Sequence, residues 1–456
     1  MIVSVNPYTR EEIARLAPHD DAQIDAALSE AKNAQRAWRG STMAERAQLL
    51  TAIAGVLRQG KSEYARLISN EMGKPIKEAL SEVEKCAINC DFYAQNGEKF
   101  LADNPVATNA TDSRVVYDPL GVVLAIMPWN YPFWQYFRFA APAFMAGNAA
   151  VLKHANNVPL CAQAIADIVA RAGAPKGLHQ TLFIESSRVE KLINDRRIAA
   201  VTLTGSTEVG AIVAAQAGRA LKKQVLELGG SDPFIVLADA DIEVAARMAV
   251  PARFINAGQS CVNSKRFIVD ERVANAFVEA FVSNVVKLKI GNPMSQDTDI
   301  GPLARADLRD TLHAQVQRTV AAGAKLLTGG EAFEDAGFAY RPTILDHVTT
   351  DMIAFREETF GPVAAITRVK SIEEAITLAN DTEFGLGATL WSQDVAKAAV
   401  YARQIDAGAV FINGMVASDP RLPFGGIKRS GYGRELGSAG IHEFVNIKTV
   451  WTGPAR

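Results

Sequence analysis

The sequence predicts an α/β protein built from two Rossmann-like, three-layer αβα domains, with a small β arm outside them. Three observations carry that expectation. Between Gly121 and Ser231, short continuous apolar runs at 122–127, 149–153, 181–184, 199–203 and 224–228 alternate with helical segments. Strands that are apolar on both faces and separated by helices imply a parallel sheet covered on both sides, a dinucleotide-type architecture. The alternation begins again at 233–237 and continues through 266–269, a helix from Arg272, and 354–368. Outside both blocks, 112–118 and 445–451 switch to a period of two, the pattern of half-buried strands, and they are read as partners in one arm.

The chain opens on a short strand-like stretch that ends at the turn signal Asn6-Pro7. From about Asp21 to Gly60, and again from Ser62 to Lys99, apolar positions recur at helical spacing, with Gly73-Lys74-Pro75 as the interruption. These read as amphipathic helices laid over a sheet. At 456 residues the chain exceeds what one core organises, and 48% hydrophobic against 21% charged residues is enough to build two. A net charge of -2 gives no electrostatic reason to expect nucleic acid. Neither a signal peptide nor a membrane span is recognisable, so no membrane role and a cytoplasmic location are expected. Four scattered cysteines (Cys86, Cys90, Cys161, Cys261) and six dispersed histidines support no disulfide framework and no metal site. Cys86 and Cys90 share a helix face and are read as packing.

Two stretches carry chemistry. Phe254-Ile255-Asn256-Ala257-Gly258-Gln259-Ser260-Cys261 puts one thiol just after a turn-prone sequence, where it can be reached by solvent. In Val225-Leu226-Glu227-Leu228-Gly229-Gly230 a single carboxylate ends an apolar run. A cysteine or a glutamate in such a setting is ordinarily a packing or paired residue. Together, and at this separation, they resemble the nucleophile and general-base signatures of the NAD(P)-dependent aldehyde dehydrogenases, most closely the succinate semialdehyde dehydrogenases. The resemblance covers nearly the whole chain.

What the resemblance implies is the aldehyde dehydrogenase fold and an oxidation through a cysteine thiohemiacetal and a thioester, with hydride transfer to NAD or NADP. Cys261 is the expected nucleophile. Glu227 is the expected base for the thiol or the hydrolytic water, with partial desolvation lifting its pKa toward neutrality. Asn130, in Pro128-Trp129-Asn130-Tyr131-Pro132, is the expected oxyanion donor beside the Cys261 N–H. Residues 1–100 and 120–229 become the cofactor-binding domain and 230–428 the catalytic domain. Residues 101–119 and 440–456 become the oligomerisation arm of a homodimer or homotetramer.

The chain has no Gly-x-Gly-x-x-Gly after a strand. Instead, Thr204-Gly205-Ser206 leads from an apolar run into a helix N-terminus able to receive a pyrophosphate. Expected cofactor contacts are Met127, Pro128, Trp129, Lys153, Ala155, Asn156, Gly205, Ser206, Leu228, Glu358 and Phe360. Lys153 is expected on the adenosine ribose, Glu358 on the nicotinamide ribose and Phe360 against the ring. Where NAD-preferring members often carry a glutamate, this chain has Asn156, which removes a repulsion against a 2′-phosphate and predicts dual or NADP use. The loop Pro423 to Gly431 resembles the glycine-rich loop that lines the substrate funnel.

For the substrate, helical spacing brings Tyr131, Gln135 and Arg138 to one face, and an arginine at the place of Arg138 holds the distal carboxylate in the succinate semialdehyde enzymes. Ser418 and Arg421 are further candidate donors. Two positions depart from some relatives: Ile255 stands where they carry a second arginine, and Asn263 removes a partner for a disulfide switch with Cys261. Succinate semialdehyde, or a close ω-carboxy aldehyde such as glutarate semialdehyde, is the leading expectation. Alternatives are a broad aliphatic aldehyde dehydrogenase with a structural Arg138, and a non-catalytic protein of the same fold. Glu227 argues against a CoA-acylating version.

Overall fold

The computed structural model describes residues 1–453, so the last three positions assigned to the arm lie outside the described residues. Two helices open the chain after the strands Ile2–Val5 and Glu12–Leu16. Asp21–Trp38 starts on a capping box between Asp20 and Gln23, and Met43–Gln59 on one between Thr42 and Glu45. Lys61–Met72 and Ile76–Phe100 follow, separated at Gly73-Lys74-Pro75 as the sequence indicates.

The first large sheet has six strands in the order Gly431–Tyr432, Lys223–Glu227, Ile198–Thr204, Val122–Met127, Ala149–His154, His179–Thr181. Its five sequential strands are parallel, and Gly431–Tyr432 returns antiparallel beside Lys223–Glu227. The strand expected at 181–184 is instead His179–Thr181, with Leu182 and Ile184 buried beyond its end. It is a three-residue edge strand whose polar residues the apolar pattern could not flag.

The second sheet has seven strands in the order Lys325–Thr328, Thr343–Asp346, Val363–Val369, Ser264–Asp270, Asp232–Val236, Gly387–Trp391, Ala409–Ile412. All pairs are parallel except that of Lys325–Thr328. The apolar stretch at 354–368 divides into a short helix, Ile353–Arg356, and the strand Val363–Val369, with the Glu357–Pro362 segment between them.

Each sheet is covered on both faces, and the strands are buried along most of their length. The arm is a separate antiparallel sheet in which Val445–Thr452 pairs with Asp112–Pro119 in register from Val445↔Pro119 to Thr452↔Asp112. Asn104–Pro105 adds a third strand.

Candidate active site

Winding of the first sheet starts at Val122–Met127, runs outward to His179–Thr181, then reverses to Ile198–Thr204 on the other side. In open α/β sheets that reversal opens a crevice at the carboxyl ends of the strands. A cavity of about 290 Å³ lies there, lined from one strand by Pro128, Trp129 and Asn130 and from its neighbour by Thr204, Gly205 and Ser206. Opposite are Glu358, Phe360 and Cys261 from the second half. A second cavity, of about 430 Å³, shares Cys261 and Gln135 with the first and adds Tyr131, Arg138 and Ser418. The thiol thus stands where the two cavities meet.

The bend that presents the thiol is unusual backbone. Asn256 and Ala257 both lie in the left-handed region (φ 56° and 52°), and Gly258 follows at φ +73°. A Cβ on Gly258 would fall 2.3 Å from the Gly361 carbonyl oxygen, so both conformation and contact require glycine. Several bonds hold the bend in place. Asn256 N donates to Glu78 Oε2 (2.7 Å), and Asn256 Nδ2 donates to the Asn130 carbonyl (2.8 Å). Fully buried Arg253 reaches the carbonyls of Gly258, Thr359, Gly361 and Val363, tying the Cys261 bend to the Glu357–Pro362 segment. Lys265 donates to the carbonyls of Ser260 and Cys261 (3.0 Å each) and pairs with Glu358 (3.3 Å).

Cys261 is partly exposed, and desolvation pushes its thiol up to about 12 against the opposing pull of Arg138 and Lys265. Asn130 is buried, with Nδ2 donating to the Gln259 carbonyl (3.0 Å) and Oδ1 accepting from Gln135 Nε2 (3.0 Å). One of its two amide hydrogens remains for an oxyanion.

Glu227 departs from expectation in its surroundings. It is 1% exposed, and neither carboxyl oxygen has a hydrogen-bond partner among the described residues. Burial, then the charge of Glu435, holds its pKa well above the carboxylate range, so the desolvation is complete rather than partial. The side chain lies against Gly425 of the glycine-rich loop instead of on either cavity wall.

The cofactor candidates assemble at one sheet edge. Met127 pairs with His154 at the ends of adjacent strands, which brings Lys153, Ala155 and Asn156 beside the Pro128-Trp129 segment. Ser206 caps the helix Thr207–Arg219, and Leu228 and Gly229 line the crevice of about 290 Å³. Trp129 and Phe360 meet edge to face across it at 5.8 Å. Lys153 Nζ donates to Asn156 Oδ1 (3.2 Å) and, pushed down to about 8 by burial, has no carboxylate within ion-pair distance among the described residues. Met127, Lys153, Ala155 and Asn156 do not line the crevice; Ala155 and Asn156 border a small neighbouring pocket. A capped helix N-terminus, an uncompensated lysine and a mostly apolar crevice suit a dinucleotide phosphate. Such a cofactor supplies the hydride acceptor.

The substrate candidates separate. Tyr131, Gln135 and Arg138 all line the larger cavity, as their spacing indicates. Arg138, however, is ion-paired to the equally buried Glu435, donates to Thr204 Oγ1 (3.2 Å) and lies over the Phe424 ring (4.8 Å). Ser418 lines the cavity and accepts from Lys85 Nζ (2.6 Å). Arg421 is turned away: its guanidinium forks onto Asp419 two residues back, and it is absent from the cavity wall. Ile255 and Asn263 both line the cavity, and Asn263 Nδ2 is bonded to the Ala252 carbonyl.

The model of the aldehyde dehydrogenase family matches residues 1–450. A succinate semialdehyde dehydrogenase [NAD(P)+] of Escherichia coli is 50% identical over 98% of this chain and 97% of its own. A succinate-semialdehyde dehydrogenase [NADP(+)] of Mycolicibacterium paratuberculosis is 49% identical over 100% and 97%. Among solved structures, succinic semialdehyde dehydrogenase from Streptococcus pyogenes with NADP+ superimposes with a TM-score of 0.97 at 39% identity, over 100% of both chains.

The chain belongs to the aldehyde dehydrogenase family.

It is an NAD(P)-dependent aldehyde dehydrogenase, with the fold of that family. Sequence reading missed several polar groups of this aldehyde dehydrogenase's candidate site: Glu435 on Arg138, Lys265 under Cys261, Arg253 behind the bend, and Lys85 on Ser418. Each of the first three has a partner far along the chain: Glu435 on Arg138, Lys265 on Glu358, and Arg253 on the carbonyls of Thr359, Gly361 and Val363. Lys85 did have a signal. Lys77, Glu78, Ser81, Glu82 and Lys85 form a polar stripe at helical spacing, and all five line the larger cavity. Among the described residues no helix is long and apolar enough to cross a membrane, and no three His, Cys, Asp or Glu side chains cluster as a metal site.

Proposed function

We propose that this aldehyde dehydrogenase oxidises succinate semialdehyde, or a close ω-carboxy aldehyde such as glutarate semialdehyde, to the dicarboxylate. One observation carries the reading: the cavity that opens onto Cys261 is lined by Arg138, Lys85 and Ser418, donors suited to a carboxylate at the far end of a short substrate. The names of relatives at about half identity point the same way.

In this reading Cys261, once ionised, attacks the aldehyde carbon, and the oxygen is received by the spare amide hydrogen of Asn130 and the N–H of Cys261. Lys265, bonded to the Ser260 and Cys261 carbonyls, keeps that N–H aimed. Glu358, anchored by Lys265 and by the Gly230 N–H (3.1 Å), holds a ribose hydroxyl in this reading. Glu227 has no hydrogen bond fixing its carboxyl; on turning from its buried position toward the thioester it regains solvent, gives up the proton that burial favours, and as a carboxylate takes one from the hydrolytic water. Asn156 supports use of NADP as well as NAD. The arm, with Ile447 and Trp451 more than half exposed, supports pairing with another copy in a cytoplasmic homodimer or homotetramer.

The pairing of Arg138 with Glu435 favours a second reading, a broad aliphatic aldehyde dehydrogenase whose arginine is structural. Initial rates with succinate semialdehyde, glutarate semialdehyde and butanal, each with NAD and NADP, decide between the two. A carboxylate preference of tenfold or more in kcat/KM, roughly 1.4 kcal/mol in the transition state, is expected. A flat profile would leave the broad reading.

A further inference from the structure

Three cations reach the cavity in front of Cys261, and their partners distinguish them. Arg138 is ion-paired with Glu435, both nearly inaccessible. Lys77 pairs with Asp299 at 2.6 Å. Lys85 has no carboxylate within 4.0 Å among the described residues. Its ammonium donates to Ser418 Oγ (2.6 Å) and lies 4.3 Å from the centre of the Trp134 ring. An ammonium carries three donors, and here one protein hydroxyl takes one of them. The remaining N–H groups belong to a side chain that lines the cavity together with Cys261, Arg138 and Ser418. A half-buried cation with no counter-ion is incompletely solvated, whereas a substrate carboxylate would supply both the charge and the acceptors.

The geometry points to Lys85, positioned by Ser418 and Trp134, as the cation that recognises the distal carboxylate of the substrate, with Arg138 held in its ion pair as a neighbouring donor. This inference rests on the carboxy-aldehyde reading above. The acids that share the cavity are already engaged and do not occupy Lys85: Glu82 pairs with Lys74 and accepts from the backbone of Phe133 and Trp134, and Glu78 accepts from Asn256 N. The charged and titratable groups around Lys85 are Glu82 and Cys86 on its own helix, Arg138 on Trp134–Met145 and Asp419 on the loop opposite. Burial and Arg138 outweigh the acids and push Lys85 down to about 8, so its charge is present below that pH and lost above it.

The test is the ratio of kcat/KM for succinate semialdehyde to that for butanal in the wild type, Lys85→Met and Lys85→Arg. Lys85→Met is expected to lower the ratio at least tenfold, chiefly through KM for succinate semialdehyde, and Lys85→Arg to restore most of it. A wild-type preference that persists in Lys85→Met overturns the inference while leaving the carboxy-aldehyde reading intact. A wild-type ratio near one overturns both. Should the variants fold poorly, the wild type alone decides: its ratio should decline as pH rises above 8, because groups common to both substrates cancel. A ratio that stays level from pH 6.5 to 9.5 sinks the assignment.

Discussion

The two halves of the molecule share an architecture and differ at the same place. At the carboxyl edge of the first sheet, where the winding reverses, the strands end in Asn130, Asn156 and Ser206, and the helix N-terminus at Ser206 opens onto a crevice. The corresponding edge of the second sheet also has a cavity of about 290 Å³, but Asp239, Asp270 and Asp394 line it, with Lys397 and with an Arg272 that is paired to Asp270. These acids are already engaged with helix starts. Asp270 accepts from Arg272 N at the start of Glu271–Val285, Asp394 from Lys397 N at Val395–Ala402, and Asp239 from Ser392 Oγ and Asp394 N. A polyphosphate would find carboxylates where the first sheet offers amides and a hydroxyl. The second half contributes instead through its opposite edge, since Cys261 precedes the amino end of Ser264–Asp270. In the proposed reading, the same layered fold serves as a receptor on one side and a nucleophile mount on the other, according to which edge keeps its backbone donors free.

Four experiments would break or sharpen this comparison. Asn130→Ala removes the donor that the first edge sends to the nucleophile, and kcat should fall about 10²–10³-fold; a loss under tenfold would mean the oxyanion is held elsewhere. Alkylation of Cys261 by iodoacetamide in cofactor-free enzyme should accelerate about tenfold per pH unit from 7 to 9, because a thiol pushed up to about 12 is far from half-ionised there. A plateau near pH 8 would show a resting thiolate instead. Asn156→Glu gives the receptor edge an acid like those of the other edge, and should cost NADP about tenfold in kcat/KM relative to NAD, or roughly 1.4 kcal/mol; equal losses for both cofactors would place the 2′-phosphate away from residue 156. Smallest is Asp394→Ala, which removes one cap from the acidic edge. It should lower stability by about 1 kcal/mol in thermal melts with kcat/KM unchanged, and any effect on cofactor KM would show that this edge is not merely structural.

Much of this site is legible in the chain because its parts are local. The strand Val122–Met127 runs straight into Pro128-Trp129-Asn130, the strand Ile198–Thr204 into Gly205-Ser206, and Cys261 follows its own bend. What escaped is where charge meets charge across the fold. Arg138 reads as a free substrate cation until Glu435, in a β-bridge to Phe424 near the other end of the chain, is seen against it. Glu227 reads as half-desolvated because its neighbours in sequence, Leu226 and Leu228, do not reveal that Gly425 closes over it. The strand at 179–181 was displaced for the same reason: pairing with Ala150–Leu152, rather than its own polar residues, makes it a strand.

The return of Gly431–Tyr432 to the first sheet bears on how the chain is made. Leu228 N donates to the Ser430 carbonyl (3.0 Å), and Ser430 Oγ donates to that of Gly229 (2.6 Å), a residue 201 positions earlier. Loop closure over such a distance comes late in folding. During synthesis the first sheet therefore waits with an open edge beside Glu227 until nearly the whole chain has left the ribosome. The half that emerges first is the half completed last, and a chain cut short before residue 430 would leave that edge free to pair with another copy.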